Sequence, residues 1–135
     1  MRKLRRKIAA VVCICALMTG MTVFAATVEY NITVNSTETN QDNLSKKVLK
    51  NTDGDLYFYV TPTYFNTSDA AFFATSKQKY GSAESYSMYV ENGLNETRRA
   101  EYKDDYAPGN TLYFMQTRYG YSATGTVNSI GRYTP

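Results

Sequence analysis

The sequence predicts an all-β protein: a single small antiparallel β-sandwich of about seven short strands, preceded by a helical signal peptide. Three observations lead there. Apolar and polar residues alternate with a period of two, as in VEYNITVN, where Val28, Tyr30, Ile32 and Val34 interleave with Glu29, Asn31, Thr33 and Asn35. Turn-forming pairs such as Asp53-Gly54, Asn92-Gly93 and Pro108-Gly109 punctuate the chain at sandwich-like spacing. No apolar stripe of helical period follows residue 25.

The chain opens with basic MRKLRRK, continues with apolar IAAVVCICALMTGMTVF and reaches the small-residue junction AAT. That order describes a secretory signal peptide over residues 1–25, with Val23 and Ala25 at the minus-three and minus-one positions of a cut before Ala26. The alternative is a retained anchor, since the run from Ile8 to Phe24 is nearly long enough to span a bilayer. Thr19, Gly20 and Thr22 near its end favour cleavage. The expected product is a secreted, extracellular domain over residues 26–135, without stable membrane insertion after the signal is removed.

Removal changes the charge balance. Arg2, Lys3, Arg5, Arg6 and Lys7 leave with the signal, so 10 of the 15 basic residues remain against 12 acidic ones, a net charge of about −2. No lysine-arginine stripe survives to neutralise phosphates, which argues against nucleic acid and against anionic membrane surfaces as partners. Cys13 and Cys15 also leave, and the remaining domain has no cysteine, histidine or tryptophan. It must therefore hold together by burial, without disulfides.

Beyond the first strand, STETNQDN reads as a polar loop. KKVLKNTDGDLYFYV places Asp53-Gly54 between two strand-like runs, the chemistry of a two-residue hairpin. In LYFYVTPTYF, residues 56 to 65, Leu56, Phe58 and Val60 share one face with Pro62 and Tyr64; Tyr57, Tyr59, Thr61, Thr63 and Phe65 share the other. Pro62 cannot donate to a ladder, so this strand is expected to lie at an edge or to be bulged there.

AAFFATSK follows as a short apolar run. SYSMYVEN sets Tyr86, Met88 and Val90 against Ser85, Ser87, Tyr89 and Glu91, and Asn92-Gly93 signals a second hairpin. ETRRAEYK fits a strand or a helical turn. TLYFMQTRY, with Leu112 and Phe114 opposite Tyr113 and Met115, reads as a strand covered on both faces. Gly125 and Gly131 in the last run mark bulges or close backbone approach.

The absences narrow the chemistry. Without histidine or cysteine, a Ser-His-Asp triad, a Cys-His pair and the usual zinc and haem sites have no residues to form from, and no glycine-rich phosphate loop follows a strand. No cofactor is expected. Asp53-Gly54-Asp55 lacks the ligand spacing of a calcium loop. A carboxylate pair for glycan cleavage remains open, with Glu84, Glu91, Glu96, Glu101, Asp104 and Asp105 as its candidates, against the alternative that these are solvated charges.

Tyrosine is the positive anomaly. All 13 follow the signal segment. Tyrosine presents a large rigid surface with a polar tip, suited to contact with sugars, peptides or another protein. It also simply fills a half-buried pleat. The candidate binding surface is Tyr57, Tyr59, Thr61 and Thr63, because the opposite face of the same strand already supplies Leu56, Phe58 and Val60 to a core. Asn31, Asn35, Asn43, Asn66 and Asn95 each begin an N-x-S/T sequon, read here as strand and loop composition in a chain of bacterial character.

The signal peptide, the tyrosine- and threonine-rich β domain, the segment NTLYFMQTRYGYS and the ending TGTVNSIGRYTP, with Gly131, Tyr133 and Pro135, carry a resemblance. The plan resembles the small secreted β-proteins of Gram-positive bacteria that include the lactococcin-like β-sandwich bacteriocins. The resemblance implies a released, non-enzymatic protein that acts on the envelope of neighbouring cells. The expected partner is thus a cell-envelope component or a protein, with self-association through edge strands as a further possibility.

Overall fold

The computed structural model describes residues 26–37, 47–50 and 55–135. The expected signal peptide and the Asp53-Gly54 turn lie outside these residues. Among them the chain is all-β, with eight strands rather than about seven and no α-helix: β1 Val28–Asn35, β2 Val48–Leu49, β3 Tyr57–Phe65, β4 Ala71–Gln78, β5 Met88–Glu91, β6 Arg98–Glu101, β7 Leu112–Tyr121 and β8 Thr126–Thr134. A single 3-10 turn at Lys103–Asp105 follows β6, so ETRRAEYK supplies both a strand and a turn. No helix of the described residues is long and apolar enough to cross a membrane.

The strands form two four-stranded antiparallel sheets, ordered β1-β8-β3-β6 and β2-β7-β4-β5. Period-two patterning decides which side chains meet between them. Tyr30, Ile32 and Val34 of β1, Phe58 and Val60 of β3, Phe72 and Ala74 of β4, Val90 of β5, Tyr113 and Met115 of β7, and Val127 and Tyr133 of β8 are all buried in one core. Fully burying one such aliphatic or aromatic side chain contributes about 1.5–3 kcal/mol, so this shared interior is the main term holding the sheets together.

Neither expected hairpin forms. The strands on either side of Asp53-Gly54, β2 and β3, lie in different sheets, as do β5 and β6 on either side of Asn92-Gly93. At the second site Gly93 N–H returns to the Glu91 carbonyl (2.8 Å), and Asn95, not Gly93, adopts the left-handed conformation at φ 64°. The strands flanking each turn signal therefore pair with other partners and not with each other.

Pro62 behaves as its chemistry requires, although β3 is an inner strand. The β3–β8 register shifts between Pro62 and Tyr64, which is a bulge. In an antiparallel strand the N and O of one residue point to the same side. Asn95 N–H donates to Pro62 O (2.7 Å), so the Pro62 nitrogen also faces the β6 side, past the last β3–β6 pair of Val60 with Arg98. No ladder donor is needed there. The bulge reverses the alternation: Phe65 is buried and Tyr64 is exposed, opposite to the simple period-two expectation.

The core is unusually phenolic. Tyr30, Tyr102, Tyr113 and Tyr133 are almost fully buried. Buried hydroxyls need partners, and Ser76 Oγ lies 2.6 Å from both the Tyr102 and Tyr133 hydroxyls, while Tyr113 donates to Pro108 O and Tyr30 meets Ser129 Oγ. Residues 84–86 tie the two sheets along one side: Ser85 N–H donates to Ser76 O of β4, and Tyr86 N–H donates to Glu101 O of β6. Ser85 turns inward and Tyr86 outward, so the alternation expected through SYSMYVEN begins only at Met88.

Candidate functional site

β3 places Tyr57 and Tyr59 on the outer face of the first sheet, half-buried, with Glu101 and Arg99 of β6 directly opposite them. Tyr57 donates its hydroxyl to Glu101 Oε1 at 3.0 Å, and the Arg99 guanidinium lies 4.4 Å from the centre of its ring. Tyr59 donates its hydroxyl to Asp55 Oδ2 at 2.7 Å, while Asp55 Oδ1 accepts the Tyr57 backbone N–H at 3.0 Å. Asp55 thus braces both tyrosines, one through its backbone and one through its side chain.

The electrostatics follow from these contacts. The hydrogen bond to Glu101 holds the Tyr57 hydroxyl above its ordinary pKa, because that bond requires the protonated phenol. Partial burial, and then the Asp55 carboxylate, raise Tyr59. Both groups are neutral donors at physiological pH. Both hydroxyls and one ring face are thus held by contacts within the molecule.

The two threonines separate. Thr61 is only 7% exposed and its hydroxyl is shared with Thr97 at 2.8 Å, so it supports the surface from below rather than forming it. Thr63, at the bulge, is exposed and donates to Ile130 O at 3.1 Å. The bulge instead brings out Tyr64, whose cross-strand neighbour is Ile130; they are 47% and 40% exposed. The sequence pointed to neither Arg99 nor Ile130, weighed Asp55 only as part of a calcium loop and set Tyr64 on the core face. Cross-strand pairing of ETRRAEYK with β3 was the signal that would have found Arg99 and Glu101.

The outer face of the second sheet carries a groove of about 160 Å³ lined by Phe73, Thr75 and Lys77 of β4, Gln116, Thr117 and Arg118 of β7, and Glu84 and Ser87 of the β4–β5 connection. Among the acids considered for glycan cleavage, Glu84 lines it. Glu84 accepts a hydrogen bond from Lys103 Nζ at 2.8 Å and faces Lys77 Nζ at 3.6 Å; the Lys103 bond is the first cause holding its carboxyl below the usual range. A general acid needs the opposite shift.

The other acids are dispersed. Glu91 and Glu96 pair with Arg98 at 3.6 and 3.8 Å, and Asp104 and Asp105 occupy a left-handed turn. Among the described residues, no group of three or more carboxylates, histidines or cysteines is arranged to hold a metal ion. No family model, curated protein or solved structure matches the chain.

Proposed function

We propose that this chain is a secreted, non-enzymatic β-sandwich that binds a cell-envelope component or a protein partner through the outer face of β3 and β6, in the manner of a small bacteriocin-like protein. The observation that carries the reading is the bracing of Tyr57 and Tyr59. Both hydroxyls end on carboxylates of the same molecule, and Arg99 stacks on one ring. A partner that contacts this surface has little side-chain motion left to freeze, which is how rigid aromatic surfaces gain affinity. Tyr64 and Ile130 extend it with exposed apolar area.

The test is co-sedimentation of the protein with purified Gram-positive cell walls, comparing the wild type with a Tyr57→Ser/Tyr59→Ser variant of verified fold. Weakened retention supports the reading. Self-association is the second reading, because β1 stands at a sheet edge with eight residues, no proline and one charged side chain. Light scattering that reports a monomer at high concentration contradicts it.

A further inference from the structure

The groove on the second sheet is a different surface with a different chemistry. Arg118 is exposed, its guanidinium lies 4.8 Å from the centre of the Phe73 ring, and no described carboxylate pairs with it. Phe73 is itself held against Tyr89, with ring centres 5.0 Å apart. A guanidinium over a ring face keeps its N–H donors, which suit bidentate capture of carboxylate or phosphate.

At the other end, Lys77 lines the groove and shares the carboxylate of Glu84 with Lys103, which lies beyond the lining, so two ammonium groups stand within 3.6 Å of one carboxylate. Phe73 is the cross-strand partner of Arg118, and Phe73 and Lys77 are four residues apart on β4, so the backbone positions of the two ends are about 13 Å apart along the strand. Thr75, Gln116 and Ser87 line the space between them with hydroxyl and amide groups. Residues after the signal segment carry a net charge of about −2, so two cationic ends on one face do not follow from composition.

The backbone excludes one common mode of recognition. β4 is paired with β7 along its whole length, and on its other side with β5 and, at Lys77, with Glu84. A peptide cannot add to it as a strand. Whatever binds is read by side chains alone: two cationic ends and a hydroxyl-amide floor.

We propose that this groove binds an anionic glycan segment, a hydroxyl-rich chain whose carboxylate or phosphate groups reach Arg118 and Lys77. The test is calorimetric titration of the folded protein with oligogalacturonate, with poly(glycerol phosphate), with a neutral cello-oligosaccharide and with polyglutamate. Binding to either of the first two is expected, and which one binds identifies the anionic group.

Arg118→Gln and Lys77→Gln should each weaken that binding by about tenfold or more, the loss typical of a hydrogen bond to a charged group. Arg118→Lys should fall between Arg118→Gln and the wild type. Thermal melts identify any variant that has failed to fold, and the lysine substitution then carries the test alone. The proposal is overturned by absence of binding to both anionic polymers, by equal binding to the neutral glycan or to polyglutamate, or by unchanged affinity in folded Arg118 and Lys77 variants.

Discussion

The ring of Tyr30 lies over Gly131, its cross-strand partner on β8, so closely that a Cβ on residue 131 would stand 2.6 Å from Tyr30 Oη. The same Cβ would also collide with the Thr61 carbonyl of β3. Gly131 therefore sits where three strands of the first sheet meet, opposite Pro62 and beside the bulge. Close approach, not a turn, is what requires glycine here; Gly125, at φ 74°, is the turn glycine.

Gly131→Ala should accordingly destabilise the fold by about 2–3 kcal/mol, in the range of overpacked interiors, since one clash is with backbone that cannot rotate away. Urea denaturation measures it. A change of a few tenths would mean that β3 and β8 shift apart at little cost.

Ser76 accounts for two of the buried phenols. Removing its hydroxyl takes the 2.6 Å partner from both the Tyr102 and Tyr133 hydroxyls and leaves them only each other, and an under-satisfied buried polar group costs about 1–3 kcal/mol. Ser76→Ala should therefore cost more than Tyr133→Phe, which removes a hydroxyl but leaves Ser76 bonded to Tyr102. Denaturant midpoints of the two variants decide the order.

The buried tyrosines set an alkaline limit. Burial pushes Tyr30 and Tyr113 up to about 12, and raises Tyr102 and Tyr133 as well. The folded state holds these protons more tightly than the unfolded chain, whose tyrosines titrate near 10. Their contribution to stability is therefore fully present below about pH 10 and is lost as pH rises through the folded values near 12. Tyrosinate absorbance should show a cooperative step above about pH 10 that coincides with loss of β circular dichroism. Gradual titration of all tyrosines near pH 10 with the fold intact would contradict the buried network.

The carboxylate braces are testable separately. Glu101→Leu removes the hydrogen-bond acceptor, and with it the charge, that raise Tyr57, so the Tyr57 pKa should fall toward its ordinary value while Tyr59, raised first by burial and then by Asp55, moves little. Tyrosine ring resonances followed by NMR across pH resolve the two. A matching fall at Tyr59 would show that the braces are not independent.

The sequence carried the all-β class, the burial of Tyr30, Ile32 and Val34, the Phe58 and Val60 core face, and the consequence of Pro62, because each rests on a local rule of strand geometry or donor loss. What it did not carry was pairing. Asp53-Gly54 and Asn92-Gly93 have hairpin composition, yet the strands beside them join different sheets, since which strands pair depends on how the whole core fills and not on the turn residues.

The candidate surface was legible to the same extent. Tyr57 and Tyr59 lie outward as period two requires. Thr61 is covered because Thr97 packs beside it, and Thr63 and Tyr64 are rearranged by the bulge. Arg99, Arg118 and Phe73 acquire their roles only from cross-strand neighbours distant in sequence, to which no local pattern points.

Retention on purified Gram-positive cell walls bears most directly on the central proposal. The folded wild-type protein should co-sediment with the walls, and Tyr57→Ser/Tyr59→Ser, with an intact β circular dichroism spectrum, should be retained at least about tenfold more weakly, the loss expected when two aromatic anchors leave a contact surface. Equal retention of the folded double variant, or no retention of the wild type on walls or on protein extracted from the same envelopes, would contradict the assignment of this face as the binding surface.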